Sequence, residues 1–248
     1  MSVIVFILGL ILGSFYNVCI YRIPKKQSIV APRSACGSCH TTLKFLDLIP
    51  VLSYLMFRGR CRHCHEKYSS RYPLVELATG LLFLFAYMTH GLSIMTLIGW
   101  GLSSLIIIVT MIDIDHHLIF DRFSVLTILL GFVYHIFVSD VTLLNMALGF
   151  LIGGGLLFII ALVGAMGGGD IKIMASFGFL LGFPNVVMAL YLSFIIGGVI
   201  SLIYIIYCKI KSHKVNREIP FGPYLCLGTW LTFYYGQQIY TWYQTLIF

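Results

Sequence analysis

Charge is what this sequence has least of. Of 248 residues, 16 are Lys or Arg and 9 are Asp or Glu, so 10% are charged while 59% are hydrophobic. A soluble domain carries about a quarter charged residues. A water-soluble globule is therefore excluded, and with a mean hydropathy of +0.96 the bilayer must act as solvent. The chain also has no Gly-x-Gly-x-x-Gly and hence no usual nucleotide-binding turn. The first apolar run has no cationic residues before it and no A-x-A site; Arg22, Lys25 and Lys26 follow it. It is therefore expected to stay in the membrane as an anchor and not to be cleaved as a signal peptide.

Apolar runs occupy 2–21, 73–90, 93–112, 123–138, 143–165, 185–207 and 222–240, with a shorter run at 171–182. All 16 Lys and Arg fall within 22–72, at Arg122, at Lys172 or within 209–217, and the loops 90–93, 139–142 and 183–184 carry none. Charges this segregated mark one face of a membrane, which argues against nucleic acid as the partner of the +7 net charge. Cationic segments stay cytoplasmic. All of them do so together only with eight crossings and both termini outside, the short run included. Its 12 residues reach about 18 Å, less than a hydrocarbon core of roughly 30 Å, and so predict a thinned or water-invaded site. The expected fold is an all-α polytopic membrane protein of about eight transmembrane helices, N-terminus outside. It divides into a first helix (1–21), a cytoplasmic four-cysteine domain (22–72) and a seven-helix core (73–248).

The one long polar segment contains "CGSC" (36–39) and "CRHC" (61–64), with 21 residues between the pairs. Cys36, Cys39, Cys61 and Cys64 supply four thiolates, enough to close a tetrahedral zinc site. Two disulfides are the rival arrangement, disfavoured in a reducing compartment, and His40, His63 and His65 lie near enough in sequence to replace a ligand. A loop of some 50 residues has little core, so metal would supply much of its folding energy. Its role is expected to be structural. Cys19, Cys208 and Cys226 lie in or beside apolar runs and are expected as small buried hydrophobes.

Four of the acids, Asp47, Glu66, Asp140 and Glu218, lie in loops and are expected to be solvated. The other five, Glu76, Asp113, Asp115, Asp121 and Asp170, lie at cytoplasmic helix ends, where a carboxylate is costly unless paired, protonated or wetted. Asp115 is turned about 200° around a helix from Asp113, so one site cannot take both; a solvated end or a supporting role suits it. Asp121 precedes "RFSVLTILL" and has the pattern of an N-cap. Asp170 follows Gly167, Gly168 and Gly169, a backbone able to break a helix and approach another chain closely. Its bland alternative is a hinge with an aspartate cap. If Asp113 and Asp170 converge, the two carboxylates share one proton. The ionised acid then takes a proton from water while the neutral one polarises a carbonyl, which suffices for peptide hydrolysis without a nucleophilic serine or a catalytic metal.

In order along the chain stand "GSFYNVCIYRIP" (13–24), the two cysteine pairs, "RYPLVE" (71–76), "MIDIDHHLIFD" (111–121), "GGGDIK" (167–172) and "PFGPYL" (220–225). This ordered set resembles the type IV prepilin peptidases, GxGD-type intramembrane aspartic proteases. The resemblance implies Asp113 and Asp170 as the catalytic pair, with Gly167 and Gly169 in the Gly-x-Gly-Asp motif and Lys172 following it. It implies removal of a basic leader, on the cytoplasmic side of a prokaryotic inner membrane, from prepilins or pseudopilins that continue into an apolar helix. Members with the cysteine loop typically also N-methylate the new first residue with S-adenosylmethionine. Phe120 stands where the family often has proline, which makes the role of Asp121 less certain. Lys172 has two readings, a charge favouring a nearby carboxylate or a snorkelling interfacial lysine. Glu76 has two as well, at the mouth of the site or anchoring the loop. The rival function is a proton- or ion-coupled transporter, since acids beside broken helices also mark transport sites; against it, these acids gather at one membrane face.

Overall fold

The computed structural model describes residues 1–138, 141–164, 166–211 and 219–247. Asp140, Glu218 and the cationic stretch 212–217 lie outside them. The described residues form helices, with two isolated β-bridges and no strand. Eight helices are long: α1 (Ser2–Arg22), α3 (Arg71–His90), α4 (Ile94–His116), α5 (Asp121–Phe137), α6 (Leu143–Leu162), α7 (Gly168–Leu181), α8 (Asn185–Ile210) and α9 (Gly222–Ile247). The loop after α1 holds a 3₁₀ turn, η1 (Phe45–Leu48), and the short α2 (Leu52–Met56). Five helices, α1, α3, α4, α6 and α8, are long and apolar enough to cross a bilayer. Large apolar side chains remain exposed along them, Ile4 and Ile11 on α1 and Ile203 on α8 among them, as expected where lipid is the solvent.

The chain divides into two compact units, Met1–Ile108 and Val109–Phe248, with the boundary inside α4. In the first, α1 packs on α3 through glycine. A Cβ on Gly9 would lie 2.7 Å from Gly80 Cα, and one on Gly13 2.7 Å from Glu76 Cα. Small residues let backbones approach where lipid tails give no hydrophobic drive to associate. The first part of α4 is joined to this pair by polar contacts: Tyr16 Oη lies 2.6 Å from Ser104 Oγ, and Trp100 Nε1 donates to the Phe83 carbonyl (2.9 Å) while its ring stacks on Phe83.

The second unit is built around α7, which is buried from Ile173 to Leu181 and packed against α5, α6, α8 and α9. The short run is thus sheathed in protein, so its 14 residues need not meet the length of about 20 that a lipid-facing span requires. Gly149 of α6 and Gly178 of α7 meet backbone to backbone: a Cβ on either would overlap the other's carbonyl oxygen. Gly178→Val is expected to lower the stability of the detergent-solubilised protein by about 1–3 kcal/mol, the usual cost of overpacking. Gly155→Ala, where an added Cβ meets nothing within 4 Å, should be neutral or slightly stabilising. Thermal unfolding of the two variants side by side checks this. Sequence reading also missed His135, buried on α5, whose Nε2 lies 3.1 Å from the Phe179 carbonyl oxygen of α7.

Candidate active site and metal centre

Asp113 sits one turn from the end of α4 and is 5% exposed. Because α4 continues to His116, Asp115 points elsewhere and is exposed. The partner of Asp113 comes from far along the chain: the Gly222 N–H, the first of α9, donates to its Oδ2 at 3.0 Å. A Cβ at 222 would lie 2.6 Å from that oxygen and 3.1 Å from Ile119 Cδ1, so the approach requires glycine. Pro220 and Pro223 flank it, and proline in a first turn fixes where a helix begins.

Asp170 stands in the first turn of α7, whose N-cap is Gly167. Its Oδ2 accepts the Gly167 N–H at 3.3 Å, reaching back from the third helical position where the sequence suggested a cap. Gly169 lies against the chain leaving α4: a Cβ there would be 3.0 Å from Ile119 Cβ. Ile119 therefore touches both Gly169, beside one acid, and Gly222, bonded to the other. The Asp113 carboxylate lies within electrostatic reach of Asp170, and the wholly buried Cys226 of α9 within reach of both. Asp113 lies in the last turn of its own helix, but its carboxylate meets the N-terminus of α9, and Asp170 lies in the first turn of α7. Free N–H groups and the helix dipole at such N-termini favour negative charge.

The remaining acids have structural partners. Asp121 is the first residue of α5, with the extended N-cap conformation at Phe120 and no side-chain capping bond. The expectation of an aspartate cap is corrected, because the Asp121 carboxylate instead takes the Lys172 ammonium at 2.8 and 3.0 Å. Both members of that pair are exposed, so it contributes about 0–1 kcal/mol. Glu76 is 8% exposed, and its Oε2 accepts the Val51 N–H at 2.7 Å. Of its two readings, the geometry supports anchoring the loop.

The cysteine pairs form two copies of one turn. Cys36 N–H donates to Thr41 O (3.0 Å) and His40 N–H to Cys36 O (3.0 Å); Cys61 N–H donates to Glu66 O (2.9 Å) and His65 N–H to Cys61 O (3.0 Å). His40 and His65 take the same position of positive φ, 55° and 58°. All four Sγ atoms lie within 4.8 Å of one another, with Cys36–Cys64 at 3.8 Å and Cys39–Cys61 at 3.9 Å. A tetrahedron with zinc–sulfur bonds of about 2.3 Å has edges of about 3.8 Å, so the set fits zinc without a histidine. All seven cysteines are free. Within the cluster Cys39 is pulled down to about 6 by its contacts with the Thr41 side chain and backbone. Cys64, against its contact with the Glu66 backbone, is pushed up to about 12 by desolvation and the neighbouring thiols. Cys19, Cys208 and Cys226 are buried, as expected of small apolar side chains.

A family model described as "Bacterial Peptidase A24 N-terminal domain" matches residues 7–90, and one described as "Type IV leader peptidase family" matches 100–202. A protein of Bacillus subtilis (strain 168) named prepilin leader peptidase/N-methyltransferase is 37% identical over 248 residues, 97% of this chain and 96% of its own length. The chain belongs to the type IV leader peptidase family. Proteins of the same name from Legionella pneumophila (33% identical; 98% of this chain, 94% of the relative) and Aeromonas hydrophila (32%; 98% and 93%) agree. No solved structure matches. The first match contains the four cysteines and Glu76, and the second contains Asp113, Asp115, Asp170 and Lys172. Gly222 lies beyond both family matches. The sequence signal that could have singled it out is the "PFGP" turn (220–223), quoted above as part of the resemblance without a role.

Proposed function

We propose that the chain is a membrane aspartic endopeptidase that removes leaders from type IV prepilins or pseudopilins and then N-methylates the exposed residue. The observation that supports the peptidase half is the meeting at Ile119 of Gly169, the residue before Asp170, and Gly222, whose N–H holds Asp113. The relatives' shared name supports both halves. In this reading the dyad holds one proton, and the two helix N-termini stabilise its single negative charge. The ionised carboxylate takes a proton from water, the water oxygen attacks the scissile carbonyl, and the protonated carboxyl donates to the carbonyl oxygen. Collapse of the tetrahedral intermediate returns a proton to the leaving amine. The cation pattern supports the reading that this chemistry stands at the cytoplasmic face of an eight-crossing topology with both termini outside, and the family supports a prokaryotic inner membrane. The transporter alternative draws no support from relatives that are named as peptidases.

The test is co-expression with a prepilin whose leader is basic and precedes an apolar helix, scored by the mobility shift on leader removal; no shift sinks the proposal. Within it, Gly222 positions Asp113. Gly222→Ala keeps the N–H but sets a methyl against Oδ2, and is expected to cut the cleavage rate at least tenfold while zinc content stays at wild-type level. An unchanged rate would remove Gly222 from the machinery.

A further inference from the structure

We infer that a cavity in the first unit, under the two cysteine turns, is the seat of the sulfonium methyl donor; this rests on the methyltransferase half of the reading above. The cavity has a volume of about 520 Å³ and is lined by α1, the start of α3, α2 and both cysteine turns. That volume lies within the range of about 300–1,000 Å³ typical of small-molecule sites, room enough for an adenosyl amino acid.

Its walls carry the matching chemistry. Tyr54, Tyr68 and Tyr72 line it as successive rings turned edge to face, with centroids 5.3 and 6.3 Å apart at 88° and 67°. Rings so arranged offer a face for a flat base and electron-rich faces for a sulfonium cation. Tyr54 lies close over Gly59, at φ +65°, where a Cβ would be 2.8 Å from the ring. Carboxylates and guanidiniums share the walls, Asp47 with Arg62 at 3.8 Å among them. Such walls can pair with both charged ends of an amino acid, its carboxylate with Arg and its ammonium with Asp or Glu. The cavity also accounts for a polar stripe in an otherwise apolar helix: Ser14 and Asn17 of α1 line it, and Asn17 Nδ2 donates to the Tyr72 carbonyl at 3.1 Å.

Cys36 and Cys61, one metal ligand from each turn, form part of the wall. Metal binding would therefore build this site, which gives a physical reason for a zinc loop in a methyltransferase. In the transfer, the neutral N-terminal amine attacks the methyl carbon. The N–C bond forms as the S–C bond breaks, the electron pair stays on sulfur as a thioether, and the new ammonium releases a proton to water.

The experiment uses the full, zinc-loaded chain in detergent. S-adenosylhomocysteine is titrated calorimetrically, and methyl-tritiated S-adenosylmethionine is photocrosslinked and the labelled peptides mapped. Label is expected within residues 14–76. Tyr54→Ala should weaken binding tenfold or more while keeping its zinc, and Tyr54→Phe should restore binding. Label within 109–248, or full affinity in zinc-loaded Tyr54→Ala, overturns the assignment. Protection of the cavity's peptides by a prepilin leader, and not by the analogue, also overturns it and gives the cavity to the peptide. A wild-type chain that methylates pilin but is labelled elsewhere disproves only the location, whereas one that neither binds the analogue nor methylates disproves the methyltransferase reading itself.

Discussion

Asp113→Asn and Asp170→Asn chains are each expected to insert, keep their zinc and release no detectable leader, a loss of about a thousandfold or more, or ~4 kcal/mol of barrier. Asparagine preserves shape and burial, so packing against Gly222 and Ile119 should survive. What disappears is the dyad's ability to hold a proton on one partner and a negative charge on the other. In Asp113→Asn the Gly222 N–H still finds an amide oxygen, which keeps the start of α9 in place and separates a chemical defect from a folding one. Asp115→Asn is the matched comparison: its side chain is exposed two residues away and the variant should retain at least partial cleavage. Electrophoresis of a co-expressed prepilin reads all three. Full processing by either dyad variant refutes the assignment, and complete loss in Asp115→Asn shows that the wrong acid was chosen.

What the sequence could show was set by the range of the interactions involved. An apolar run is a local feature, so each of the eight runs is largely helical among the described residues, and Cys-x-x-Cys turns are local, so the four thiols were predictable as one cluster. That Asp113 and Asp115 diverge followed from helix geometry alone. Pairings across large separations were not visible: Lys172 with Asp121, 51 residues apart, and Gly222 with Asp113, 109 apart. Any exposed lysine has many carboxylates it can reach, and a backbone N–H leaves no mark in the side-chain sequence. Asp121 shows the cost of local inference, since an acid before an apolar run has a cap pattern whichever partner it finally takes. The glycines of α6 and α7 were similarly silent, because the sequence gives their size but not the backbone they meet. The short run was legible as too short for lipid, yet its remedy, a sheath of protein around α7, is a tertiary fact.

Cys36→Ser combined with Cys39→Ser is expected to abolish zinc binding and N-methylation together while leader removal persists or weakens. The loop between α1 and α3 has little else to hold it. Its regular structure amounts to a four-residue turn, a five-residue helix and two isolated bridges, and η1 buries none of its residues. A segment with so little apolar burial cannot offset its conformational entropy unaided, so metal binding supplies much of its folding free energy. Serine keeps the volume but gives no soft thiolate, and removing two of four ligands opens the tetrahedron. Glu76 would still hold Val51, so the anchored base of the loop should remain while the cysteine turns separate. The proposed dyad and the supports described for it belong to residues 109–248, which is why cleavage is expected to outlast methylation. Elemental analysis for zinc and mass spectrometry of the processed pilin N-terminus separate the outcomes. A zinc-free double variant that still methylates normally would break the link between metal and transfer, and equal loss of both activities would show that the loop serves the peptidase as directly as the transferase.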